Sequence, residues 1–250
     1  MEALIAGTGL LPTLGLLAYD APGWGGALLG GLGKSLQIAV GAYGLGLVIG
    51  ILGAYGKLYG GPILKDLLAV YTTIVRAVPE LILILILYYA VTDALNNALV
   101  SAGYGRVQIS GLAAGIAVLG VVQGAYATEV LRGAMLAVPH GQIEAARAMG
   151  MSPLVLARRI TLPTMLGYAL PGMANLWLIA TRDTALLAVV GFGELTLVTR
   201  QAAGATKAYF TFFIVAGMIY LLITLISSQF FSRIERWARR GEPDMRKANR

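Results

Sequence analysis

Four ionisable residues, Arg76, Glu80, Glu129 and Asp183, sit inside or at the ends of long hydrophobic runs. Charge at membrane depth is costly, so such groups face a cavity, pair with one another or meet a substrate. Three carboxylates set against one guanidinium could meet a ligand carrying both signs of charge, the carboxylates taking a cationic group and Arg76 or a helix N-terminus an anionic one. Gln123 and Tyr126 would add neutral hydrogen bonds. Structural alternatives stand beside each role. Arg76 and Glu80 are four apart and would pair on one helix face, a geometry that Pro79 between them weakens. Glu129 is three residues from Arg132, and Asp183 adjoins Arg182 and suits a helix cap.

Such groups need spans to position them. The chain has 250 residues, 58% hydrophobic and 12% charged, whereas a soluble domain runs nearer a quarter charged. Lipid explains this composition better than a buried core. The 33 glycines suit helices that approach closely in a membrane. Absence of cysteine excludes disulfides, thiolate metal sites and cysteine nucleophiles. A single histidine, His140, argues against a histidine-based metal site or triad. No catalytic residue, metal or cofactor is expected.

The formal charge of +7 is uneven. Arg233, Arg236, Arg239, Arg240, Arg246, Lys247 and Arg250 follow the last apolar run, where they read as a topology signal beside anionic lipid rather than a nucleic-acid site. Five stretches are apolar enough to span at ~20 residues each: about Ser35–Tyr55, Ile63–Leu95, Leu112–Leu131, Met165–Ala180 and Tyr209–Phe231. The second outruns one bilayer and reads as a bent or tilted helix, with Pro79 removing a backbone bond near its middle. The fold class is therefore an all-α, polytopic transmembrane helical protein.

Segments following the first, third and fifth spans carry thirteen basic residues, including Lys57, Lys65, Arg132, Arg147, Arg158 and Arg159. The positive-inside rule then places the N-terminus outside, in the periplasm, and residues 140–163 and the C-terminus in the cytoplasm. Residues 1–23 read as an external or interfacial segment, 24–235 as the transmembrane domain and 236–250 as a basic tail. Insertion of residues 3–19 as a sixth span is the alternative. Gly31-Leu32-Gly33-Lys34-Ser35 mimics the end of a phosphate-binding loop, but Leu28 stands where that motif needs glycine. Any ATP is bound by another chain.

Residues 140–163, HGQIEAARAMGMSPLVLARRITLP, interrupt the apolar pattern with a polar helix–turn–helix. Gly150 is placed as a C-terminal cap, and Ser152 and Pro153 as N-cap and first helical residue. A second short helix, Leu154 to Ile160, would stop before Pro163. An amphipathic hairpin lying on lipid would satisfy the same pattern.

The spacing is more specific than that. Glu144-Ala145-Ala146, three residues, Gly150, nine residues, then Ile160-x-Leu162-Pro163 resembles the cytoplasmic loop of importer permeases in the ATP-binding-cassette superfamily. Ala125-Tyr126-x-x-Glu129-x-x-Arg132-Gly133-Ala134, Val138-Pro139-x-Gly141-Gln142, Arg76-x-Val78-Pro79-Glu80 and Arg182-Asp183-Thr184-x-Leu186 resemble the polar amino-acid branch. Within it the likeness runs to the histidine/lysine-arginine-ornithine and octopine/nopaline permease subunits, over about residues 24–240. Ala77 departs from the glycine usual after that arginine, which implies a local packing difference.

The resemblance implies a permease subunit in the bacterial inner membrane. Its partners would be a second permease chain, identical or homologous, an ATP-binding subunit dimer and a periplasmic solute-binding protein. It implies that Glu144, Ala145, Ala146, Gly150, Ser152, Pro153, Arg158, Arg159 and Pro163 form the coupling loop to the ATPase. It also implies that Asp183 and Thr184 line the translocation path, and that the substrate is a basic amino acid or opine. The chain would not itself be an enzyme. An ATP-independent secondary transporter or channel is the rival, but no internal inverted repeat is visible. An intramembrane enzyme would want a nucleophile or metal motif that the chain lacks.

Overall fold

The computed structural model describes residues 15–106 and 110–238. Residues 1–14 and the tail residues Arg239, Arg240, Arg246, Lys247 and Arg250 lie outside the described residues. So does most of the stretch whose insertion the sequence left open.

The described elements are helical: α1 Gly25–Tyr59, α2 Pro62–Ala77, α3 Glu80–Ser101, α4 Gly111–Leu136, α5 His140–Ala148, α6 Pro153–Leu156, α7 Leu162–Asp183, α8 Leu195–Thr206 and α9 Tyr209–Ala238. A π-turn, Ala157–Thr161, joins α6 to α7, and a 3-10 turn, Thr184–Val190, follows α7. Five segments are long and apolar enough to cross a membrane: α1, α3, α4, the run Pro153–Val190, and α9.

The expected bent second span is two helices. Val78 is extended, with φ −90° and ψ 138°, and Pro79 is the N-cap of α3. Proline disfavours helical backbone in the residue before it, so the chain breaks at Val78 instead of bending. At 16 residues, α2 is ~24 Å long, short of the ~30 Å hydrocarbon core; α3 is the span. The short helix expected to stop before Pro163 does not stop. The Leu162 N–H donates to the Ala157 carbonyl, five residues back. This wider turn carries α6 into α7 across a proline that has no N–H of its own.

The centre of the fold is the crossing of α1 and α4. Gly46, Gly50 and Gly53 recur on one face of α1 and meet Gln123, Ala127 and Thr128 of α4. In return Gly120 and Gly124 of α4 receive Leu45 and Ile49. A Cβ on Gly50 would lie 2.5 Å from the Ala127 Cβ and 3.0 Å from its carbonyl carbon, so only glycine permits this spacing. In lipid, where no hydrophobic force draws helices together, close packing of this kind supplies the association.

A buried polar knot ties the other end of α1 to α8 and α9. Glu194, fully buried, caps α8 by accepting from the Thr196 and Leu197 N–H groups at 2.8 Å each. The Ser35 hydroxyl donates to Glu194 at 3.2 Å and accepts from the Leu195 N–H at 3.1 Å; the Tyr220 hydroxyl donates to Glu194 at 3.3 Å. Burial pushes the Glu194 carboxyl above its ordinary range, against the pull of these donors.

Candidate functional site

Gln123 and Tyr126 are three apart on α4 and so share a face. Gln123 is 1% exposed, and its Nε2 donates at 3.2 Å to Asp183 Oδ2 at the end of α7. Glu80 enters from the break between α2 and α3. Its carboxyl interacts with both the Asp183 carboxyl and the Tyr126 hydroxyl. Arg76, in the last turn of α2, is within electrostatic reach of Tyr126. Five of the seven predicted substrate residues therefore converge, drawn from four helices. Gln123 Oε1 is buried and has no hydrogen-bond partner among the described residues, an arrangement that carries a desolvation cost. Two facing carboxyls and an unpartnered amide oxygen form an acceptor-rich cluster, to which an ammonium or guanidinium can donate.

The other two predicted residues are spent on other contacts. Glu129 is held by Lys57, whose Nζ donates to Oε1 and, at 2.8 Å, to the Thr72 hydroxyl. Arg132 donates to Glu129 Oε2 from Nε at 3.0 Å and Nη2 at 2.8 Å. This triad ties α1, α2 and α4. Lys57 is the member that sequence reasoning missed, because a lysine at a span end reads first as a topology mark. Thr184 is fully buried, and its hydroxyl donates to the Thr181 carbonyl at 2.9 Å.

The 140–163 hairpin is built on Gly150. Its φ is +75°, a left-handed conformation that side chains disfavour. The Gly150 N–H donates to the Arg147 carbonyl at 2.9 Å and the Met151 N–H to the Ala146 carbonyl at 3.1 Å, the Schellman pattern of a helix end. Ser152 is the N-cap of α6, although its side chain makes no capping bond. Ala146 alone of the predicted coupling residues is buried; Glu144, Ala145, Gly150, Ser152, Pro153, Arg158, Arg159 and Pro163 are exposed. Met149 and Leu154, outside the predicted coupling set, flank the turn at 78% and 79% exposure. A turn with fixed backbone and protruding apolar side chains is suited to seat in a groove of another protein.

A family model for the binding-protein-dependent transport system inner membrane component matches residues 46–240. The chain belongs to this family. The nopaline transport system permease protein NocQ of Agrobacterium fabrum is 40% identical over 232 residues, 91% of this chain and 98% of that protein. The histidine/lysine/arginine/ornithine transport system permease protein HisQ of Escherichia coli is 39% identical over 214 residues, 86% of this chain and 94% of that one. Among solved structures, an amino acid ABC transporter crystallised with histidines superposes with TM-score 0.72 at 28% identity, covering 85% of this chain and 94% of that chain. The methionine transporter MetNI shares the fold, with TM-score 0.70 at 22% identity over 88% and 99% of the two chains. The protein is a multi-pass inner-membrane permease of the ATP-binding-cassette importer type, a class that works with an ATPase and a substrate-binding protein.

Proposed function

We propose that the permease imports a basic amino acid or an opine, and that Glu80, Asp183 and Gln123 receive its cationic side chain. The observation that carries this reading is the pair of facing carboxyls at Glu80 and Asp183, beside a buried Gln123 oxygen without a partner. Like charges brought together out of water repel, and a bound cation reverses that penalty. Tyr126 offers a hydroxyl at the same place, and Arg76 a counter-charge for the substrate's own carboxylate. Glu129 serves to lock α1, α2 and α4, and Thr184 shapes the wall beside Asp183. Relatives named for histidine, lysine, arginine, ornithine and nopaline support the substrate class.

The remaining assignments belong to the same reading. The transmembrane domain spans 24–235, the N-terminus is periplasmic, and the hairpin and the tail after residue 235 are cytoplasmic. A second permease chain completes the pore, two ATP-binding subunits dock on the hairpins, and a periplasmic solute-binding protein delivers substrate. Hydrolysis occurs on those ATPase chains, and this chain is not catalytic. ATP binding favours the outward-open state through its higher affinity for the closed ATPase dimer, and hydrolysis resets the cycle.

The test is competition uptake in proteoliposomes, with arginine against its neutral analogue citrulline. Glu80→Gln and Asp183→Asn should each weaken arginine selectivity by about tenfold or more, as loss of one charge-assisted contact implies. Unchanged selectivity in both variants would remove the carboxylates from the substrate site.

A further inference from the structure

An apolar crevice runs along the outside of the bundle between α1, α4 and α7. Its inner part, about 400 Å3, is walled by residues including Tyr43, Leu47, Leu131, Leu166 and Met173. Its outer part, about 280 Å3, reaches Tyr59, Val138, His140, Ile143 and Thr161. The two parts share Tyr55, Met135, Leu162 and Met165 and so form one continuous slot.

Polarity along the slot is one-sided. The Tyr43 hydroxyl, the polar group of the inner part, is spent on the Met173 carbonyl at 3.2 Å. At the other end stand the Tyr55 and Tyr59 rings, 5.7 Å apart, with His140 and Thr161. Paired tyrosines at a span end mark the membrane–water boundary. Ile51, Tyr55, Leu162 and Leu166 are exposed along the opening, within segments long and apolar enough to cross a membrane, an opening suited to an acyl chain. His140, Ile143 and Arg147 recur at three and four residues along α5, which puts the exposed Arg147 on the face that closes the polar end.

We propose that this slot is a binding site for one anionic phospholipid, its acyl chain between α1 and α7 and its phosphate at the His140–Thr161 end beside Arg147. The lipid would join the root of the hairpin to the spans. Placing it in the inner leaflet rests on the orientation proposed above; the binding itself does not.

The complete complex, reconstituted in nanodiscs of phosphatidylglycerol and phosphatidylethanolamine, is extracted in detergent, and its retained phospholipid is quantified by mass spectrometry. Wild type should keep phosphatidylglycerol in preference to phosphatidylethanolamine. Leu166→Trp and Leu47→Trp, filling the slot from opposite walls, should each strip that lipid. Arg147→Ala should lower the preference for phosphatidylglycerol about fivefold, the attraction of one basic residue for anionic lipid. Equal retention in wild type and in a folded slot-filling variant would overturn the proposal. So would rapid cross-linking of Leu166→Cys to a partner chain, since protein would then cover the slot. A hairpin found on the periplasmic face would alter the leaflet and leave retention intact.

Discussion

Glu129 is the acceptor for two cations, and replacing it with Gln leaves both without a counter-charge. The Lys57 and Glu129 side chains are 14% and 16% exposed, and Arg132 is 35% exposed. Removing one partner of a fully buried pair costs ~3–5 kcal/mol, whereas an exposed pair contributes ~0–1 kcal/mol. The Lys57 contact lies near the first limit and the Arg132 contact near the second. Glu129→Gln should therefore destabilise the permease by about 3 kcal/mol, or ~6–12 °C in melting temperature for a chain of this length. Lys57→Met leaves Glu129 its contacts with Arg132 and should cost less. In the double variant no lysine is stranded, so its loss should fall short of the summed single losses by ~1 kcal/mol or more. Thermal melting of the purified complex in detergent reads all three values, and arginine uptake at low temperature reads function separately. Melting of Glu129→Gln within ~1 °C of wild type, together with a lowered affinity for substrate, would refute this reasoning and make Glu129 a substrate contact.

Other outcomes follow from the same geometry. Gly50→Val should force α1 and α4 apart and cost ~1–3 kcal/mol, seen as reduced assembly and melting temperature, while Gly44→Ala, with open space around its Cβ position, should be tolerated. The Glu194 carboxyl is pushed up in the folded state, so its ionised form is disfavoured there, and stability falls as pH rises through the folded value. Relative to wild type, Glu194→Gln should gain melting temperature as pH rises above the ordinary carboxylate range; a constant difference would contradict this. Gly150→Ala must hold a side chain at φ +75°, costing ~1–2 kcal/mol, and should loosen coupling between ATP hydrolysis and uptake while lowering melting temperature by ~2–8 °C.

The helical, five-span character was legible because apolar runs of bilayer length are a coarse, cumulative signal. The hairpin was legible for another reason: Gly150, Ser152 and Pro153 act through local backbone chemistry that each residue type carries with it. Lost were features that depend on partners distant in sequence. The break at Val78 was missed because proline permits either a kink or a cut. Pro163 was read as a stop, although a π-turn at 157–161 absorbs it. Glu129 looked equivalent to Glu80 and Asp183 by depth, but Lys57 reaches it from 72 residues away. Glu194 drew no notice in sequence, since its acceptors matter only once Ser35 and Tyr220 close around it.

The central claim, that ATP hydrolysed on a partner drives a basic amino acid past this chain through the Gly150 hairpin, is tested most directly by paired assays on the reconstituted complex. ATPase rate and labelled arginine uptake are measured together, with arginine-loaded binding protein, in wild type and Gly150→Asp. Wild type should show binding-protein-stimulated hydrolysis and ATP-dependent uptake, and the variant should lose uptake or stimulation while still assembling in the membrane. Undiminished arginine uptake by Gly150→Asp in the absence of ATP would contradict the account.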